Sequence, residues 1–253
     1  MTSASSQTDA LLLRSVDYGD ADRIVTLLTT RFGKAAFIAR GARRSKKRFA
    51  GALEPLCLLA VEVRQGAAEL GTLMSAQIAR SFPRVLANLS AMSAGFAALE
   101  LVRELSAEHA PEPEVFATTL QLLEALDAHE AAPERLLLCF EVRLLGLLGF
   151  APRLDSCGVC GKRPGDGQAG LFDPQLGHLT CRRCGGASHR LGGVARAQLV
   201  RASGSGWVDA AMPPWKQSEL AETREALRAF VEQRIGHALR APSSFPGAEK
   251  RPA

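Results

Sequence analysis

The hydrophobic pattern changes its period once along this chain, near residue 82. Before that point, apolar residues come in short runs. Residues 10–16, 23–29, 35–40, 56–64 and 70–78 are rich in Val, Ile, Leu and Phe, and Val61-Glu62-Val63-Arg64 alternates strictly. Such runs, punctuated by Gly19, Gly33 and the 65–68 segment, read as five short strands. Five strands in so short a stretch predict a small closed barrel. A five-stranded OB-fold fits best, and an SH3-like barrel fits the strand count almost as well.

After residue 82 the period becomes helical. Met92, Phe96, Leu99, Val102 and Leu105 share one face, with Ser90 placed to cap the helix. Pro113 can open a second helix that presents Phe116, Leu120, Leu123 and Leu126, leaving Asp127 toward solvent. Pro133 can open a third, with Leu136, Phe140, Leu144 and Leu147. This third helix is apolar on more than one face, which predicts a central place in a bundle. Ser218 can cap a last amphipathic helix carrying Leu220, Leu227, Val231 and Ile235. The expected class is α+β: an OB-fold barrel over 1–82, then a helical domain over 83–240. The Pro-containing tail, 241–253, is expected to be disordered.

A different pattern interrupts the helices between 153 and 190. Cys157-x-x-Cys160 and Cys181-x-x-Cys184 are separated by twenty residues. Two CxxC knuckles at this spacing predict one structural Zn²⁺, because four thiolates close a tetrahedron around the ion. A closed shell leaves no position for a reactive water. Disulfides or a redox pair are the competing readings, and His178 and His189 are the nearby alternatives to a sulfur ligand. Cys57 and Cys139 fall in apolar patterns and read as buried thiols.

Composition adds less than charge placement. The chain has 253 residues, 47% of them hydrophobic, and a formal charge of +5. Its longest apolar stretch, 136–150, carries Glu141 and Arg143 and is too short to span a bilayer. From Arg23 to Leu53 there is no Asp or Glu, while nine Lys or Arg occupy the same segment. Six of them fall within nine residues: Arg40, Arg43, Arg44, Lys46, Lys47 and Arg48. This cluster lies between the third and fourth expected strands. It reads as a mobile basic loop able to lie along a phosphate backbone. Lys34 is counted with it as a candidate contact. Phe49, at its end, is either a core anchor or a base-stacking ring. Lys162, Arg163, Arg182 and Arg183 around the knuckles are either an extension of the basic surface or solubilising residues.

Catalytic signatures are absent from the sequence. It contains no GxxxxGK[ST], no HExxH, no GxSxG and no GxGxxG after a strand. The acidic turn from Asp17 to Asp22 lacks the Gly and Glu positions of an EF-hand loop. These features point to a non-catalytic nucleic-acid binder.

Several segments together resemble the RecO family of bacterial recombination mediators. They are Asp17-Tyr18-Gly19-Asp20-Ala21-Asp22-Arg23-Ile24-Val25, Phe32-Gly33-Lys34, Arg40-Gly41-Ala42-Arg43-Arg44 and Leu53-Glu54-Pro55-Leu56, followed by Phe140-Glu141-Val142-Arg143-Leu144-Leu145, Gly149-Phe150-Ala151-Pro152 and Cys157-Gly158-Val159-Cys160-Gly161. The resemblance implies an OB-fold, a helical domain with a zinc module, and binding of single- and double-stranded DNA. It implies annealing of complementary strands, with RecR, single-strand-binding protein and, indirectly, RecA as partners. It also implies a cytoplasmic, nucleoid-associated place in a bacterium. An RNA-binding or transcription-associated adaptor, stabilised by zinc, is the alternative from another class.

Overall fold

Five strands close a barrel in the computed structural model, whose described residues are 5–45, 47–49, 51–65, 70–128, 132–165, 167–204 and 214–240. They are β1 (Ser6–Tyr18), β2 (Asp22–Thr29), β3 (Gly33–Ala39), β4 (Cys57–Arg64) and β5 (Gly71–Ser81). The order β1-β2-β3-β5-β4 is closed by antiparallel pairing of β1 with β4. One parallel contact, β3 with β5, seals the remaining gap. This is the OB-type arrangement, and it decides against the SH3-like one. β1 pairs on both edges, Ala10 with Thr29 of β2 and with Leu59 of β4, and its register with β2 shifts between Leu12 and Arg14. Alternation buries Leu27, Ala35, Phe37, Leu59, Val61, Val63 and Leu73 inside the barrel.

The chain divides into two compact units, Met1–Asp127 and Ala128–Ala253. The first unit therefore holds three helices with the barrel: α1 (Pro83–Ala87), α2 (Leu89–Leu105) and α3 (Pro113–Ala128), whose last residue falls past the division. Here the caps differ from expectation. Asn88, not Ser90, caps α2 by accepting the Ala91 N–H at 3.0 Å. Asp127 is not simply solvent-facing, because its Oδ1 accepts the N–H groups of Arg84 and Val85 in the first turn of α1. Phe96 is exposed, and the small residues Ala91, Ala94, Gly95 and Ala98 are buried with Leu99 and Val102. A Cβ on Gly95 would come within 2.5 Å of Leu56, which explains a face of small residues there.

In the second unit α4 (Pro133–Leu147) is buried on several faces, as its pattern predicts. It stops at a Gly149 turn in which Phe150 N–H donates to Leu145 O and Gly149 N–H to Gly146 O. A four-stranded sheet follows, in the order β6-β8-β7-β9: β6 (Arg153–Cys157), β7 (Gly170–Asp173), β8 (His178–Leu179) and β9 (His189–Leu191). Two helices complete the unit, α5 (Gly193–Ala202), which hydrophobic periodicity did not predict, and α6 (Gln217–Ile235). Ser218 lies inside α6 rather than capping it; Glu219 accepts the Lys216 N–H at 3.1 Å instead. Cys57 and Cys139 are buried, as expected, and burial pushes the Cys139 thiol up to about 12. The expected disordered tail, 241–253, lies outside the described residues, as do 66–68 of the expected hairpin loop. Among the described residues no helix is long and apolar enough to cross a membrane.

Candidate nucleic-acid interface and metal centre

The basic segment leaves the barrel where β3 ends. Ala39 pairs with Arg23 and Tyr18 with Asp22, so the 18–22 turn and the 40–49 segment emerge at one end of the barrel. Gly41 takes φ 68°, a left-handed conformation that favours glycine, and starts a single 3₁₀ turn, Ala42–Arg44. Its N–H donates to Asp22 Oδ1 at 2.7 Å, and Arg43 N–H donates to Ala21 O at 3.0 Å. Further on, Arg48 N–H reaches Ser45 Oγ, and Ala76 N–H of β5 donates to Arg48 O at 2.9 Å. Phe49 is 2% exposed and belongs to the barrel core. The segment expected to be mobile is thus tied down at both ends and in the middle. Phe49 is the anchor, not a free stacking ring.

This anchoring leaves the charges outside. Arg40, Arg43, Arg44, Lys47 and Arg48 are all exposed, while Lys46 lies outside the described residues. Arg40, Arg44 and Lys47 make no ion pair among the described residues. Arg43 reaches Asp17 Oδ2 at 3.4 Å, and the same carboxylate takes Arg23 at 3.2 Å. Two separated parts of the sequence, 17–23 and 40–44, therefore form one surface. Asp17 tempers its charge, a contact that strand periodicity does not signal.

Lys34 corrects the sequence reading. It is 9% exposed, and its Nζ donates to Arg103 O at 2.6 Å in the last turn of α2. A lysine ammonium there satisfies an unpaired carbonyl and the negative end of the helix dipole. Lys34 ties β3 to α2 and is withdrawn from the candidate interface. Its backbone is held too, because His109 N–H donates to Lys34 O.

The cysteines converge as their spacing predicts. Cys157 ends β6, Cys160 follows in the next turn, and Cys181 and Cys184 frame the turn after β8. Gly161 N–H to Cys157 O closes the first knuckle at 2.9 Å, and Cys184 N–H to Cys181 O closes the second at 2.8 Å. All four sulfurs lie within 4.8 Å of one another. Four sulfurs about 2.3 Å from a tetrahedral centre stand about 3.8 Å apart, and Cys160 Sγ is 3.8 Å from Cys181 Sγ. The donor set and its dimensions fit a tetrathiolate metal site. Among the described residues the cluster is made of the four cysteines, without His178 or His189.

Backbone amides prepare this site. N–H groups, foremost that of Cys181, hold the Cys157 thiol down to about 6. Hydrogen bonds with the Cys181 and Cys160 sulfurs push Cys184 up to about 12. The four sulfurs cannot all be thiolates at neutral pH without a cation between them. His178 packs on the first knuckle, where a Cβ on residue 158 would fall 2.3 Å from its ring. Gly158 is therefore required by packing against His178. Below the sheet, the buried Arg196 donates to Gln168 O, Leu154 O and Gly165 O at 3.0–3.2 Å. It fastens the linker between the knuckles to β6, and the sequence carried no signal for it.

Residues 1–82 match the family model for the N-terminal part of recombination protein O, and residues 86–242 match the model for its C-terminal part. A DNA repair protein RecO from Anaeromyxobacter sp. (strain K) is 40% identical over 235 residues, covering 91% of this chain and 92% of the relative. That of Myxococcus xanthus is 40% identical over 234 residues, covering 92% and 93%. That of Geobacter sulfurreducens is 39% identical over 196 residues, or 76% of each chain.

Proposed function

The chain belongs to the RecO family of DNA repair and recombination proteins, and on that premise we propose that it is a non-catalytic mediator that binds and anneals DNA. The observation that carries this reading is the anchored loop, whose five described cations all face solvent. Arg40, Arg43, Arg44, Lys46, Lys47 and Arg48 contact phosphates of single- and double-stranded DNA. Such contacts supply affinity without reading sequence. Annealing is a matter of screening two polyanions and keeping them together, so it needs no general acid, base or nucleophile. The chain acts with RecR and single-strand-binding protein and helps RecA onto DNA, in the bacterial cytoplasm on the nucleoid. One Zn²⁺, held by Cys157, Cys160, Cys181 and Cys184, stabilises the second unit and takes no part in chemistry.

The test is annealing of two complementary fluorescent oligonucleotides. Wild type should accelerate it, and a folded variant with Arg43→Ala, Arg44→Ala, Lys46→Ala and Lys47→Ala should not. For about four to six phosphates on a single strand, the log–log salt slope of binding should be roughly −3 to −4. A flat salt dependence excludes the phosphate mechanism. Preference for RNA without annealing would favour the adaptor reading.

A further inference from the structure

The cysteine module contains a cavity beside the four-cysteine cluster, with Cys157 and Cys181 in its wall and the other two cysteines outside it. It measures about 350 Å³, within the range of small-molecule sites. The half-buried Leu171 forms its apolar floor, backed by the buried Leu179. Lys162, Arg182, Arg183 and Arg190 stand around it, and among the described residues no carboxylate lines it. Arg190 is paired with Glu222 at 2.8 Å. Lys162, Arg182 and Arg183 are exposed and make no ion pair among the described residues.

These three cations come from opposite knuckles. Cys157 N–H donates to Lys162 O, which holds the lysine beside the first pair of cysteines. Arg182 and Arg183 form the 3₁₀ turn of the second pair. The fold of the two knuckles thus sets three cations around one opening, beside the Cys157 and Cys181 sulfurs of the metal cluster. A dication in four thiolates carries a net charge of −2, which three cations outnumber. An apolar floor beneath a cationic rim suits a ligand with a phosphate and a flat, weakly polar ring.

We propose that this cavity is a second DNA site, which takes one unpaired nucleotide of a single strand. The base lies on Leu171, and the flanking phosphates meet Lys162, Arg182 and Arg183. A base in a duplex is stacked on both sides and cannot enter, so the site selects single-stranded DNA. This inference does not depend on the barrel loop.

The experiment uses the full zinc-loaded chain and a short fluorescent oligothymidylate, followed by anisotropy across a salt series. A variant with Lys162→Ala and Arg183→Ala should keep its zinc and weaken binding several-fold. Its salt slope should become shallower by about 1.4, the contribution of two single-strand phosphate contacts. In the background of Arg43→Ala, Arg44→Ala and Lys47→Ala, the same pair should remove the remaining binding. Lys162→Gln, which lies outside the knuckle turn, should show half the slope change and serves as the test if the double variant loses zinc. An unchanged slope in zinc-loaded variants overturns the proposal. So does equal weakening for oligothymidylate and an abasic strand, which would mean an anion rim without a seat for the base. The barrel reading fails by a different result, wild-type binding and annealing in the loop variant.

Discussion

Arg43 and Arg196 carry the same guanidinium group, and the two units put it to opposite uses. Arg43 stays in water on an anchored loop, with Asp17 as a partial partner. Arg196 is buried beneath the cysteine sheet and spends its donors on three backbone carbonyls. The first is available to a phosphate, and the second is committed to the fold. The comparison extends to the segments around them. The described residues of the 40–49 loop are held by backbone hydrogen bonds that leave its charges exposed, whereas the cysteine module turns its carbonyls onto Arg196 and its four sulfurs onto one another. A cluster of basic residues and a single basic residue look alike letter by letter. The backbone partners around them decide which is recognition and which is scaffold.

The strongest way to sharpen this contrast is to break the cysteine centre. Cys181→Ser should lose the zinc, seen by metal analysis of freshly purified protein, and unfold the second unit while the barrel keeps its own melting transition. Structural zinc of this type contributes about 10–16 kcal/mol of folding free energy in small zinc-binding peptides. If both transitions survive unchanged, the module does not depend on metal.

Phe49→Ala probes the anchor of the loop. It should cost about 3–5 kcal/mol in chemical denaturation, the range for emptying an aromatic site in a core. If Phe49 were a stacking ring, stability would hold and DNA binding alone would fall. Arg196→Met should come next, at about 2–3 kcal/mol, because it leaves buried carbonyls without donors. It should do so with the zinc still bound and no change in the salt slope for DNA. A changed slope would place Arg196 in the recognition surface after all.

Glu141 gives a pH test of the second unit. Burial pushes its carboxyl up to about 8, with Arg228 acting in the opposite direction, and its Oε1 lacks a hydrogen-bond partner. The native state therefore holds a proton that the unfolded chain releases from about 4.5 upward. This contribution is complete below the unfolded value and is lost as pH rises toward 8. Glu141→Gln keeps a neutral side chain, so its advantage over wild type should grow across that window. Denaturation at several pH values should show a gain of up to about 1.4 kcal/mol per pH unit. A constant difference would mean that Glu141 is ionised in the native protein.

The smallest expected effect on stability is that of Asp17→Asn. Exposed pairs such as Asp17 with Arg23 and Arg43 contribute under about 1 kcal/mol. Removing the carboxylate should nevertheless tighten DNA binding slightly at low salt, since it releases Arg43. Weaker binding would mean that Asp17 positions Arg43 rather than tempering it.

Much of the fold could be read from pattern alone. Short apolar runs located all five barrel strands, although only β4 alternates between buried and less buried positions along its whole length. Proline at 113 and 133 marked two helix starts, since it lacks the N–H that a first turn leaves unused. The caps were less legible. Asn88 and Ser90 are both good cap residues, and only the path of the chain out of α1 decides between them. The helix α5 escaped because its buried positions include Gly193, Ala195, Arg196 and Gln198, which make no hydrophobic stripe.

Pattern alone was enough to mark the four clustered cysteines and the charge of the loop. Both are local: a knuckle brings its own two sulfurs together, and a dense run of cations stays cationic wherever it is placed. Tertiary structure alone decided which cations remain free. It sent Lys34 to the end of α2, Arg196 under the sheet and Phe49 into the barrel, and it brought Asp17 beside Arg43. It also set Lys162 beside Arg182 and Arg183 around a cavity. Each of these depends on a partner distant in sequence, and a one-dimensional pattern does not record which distant groups will meet.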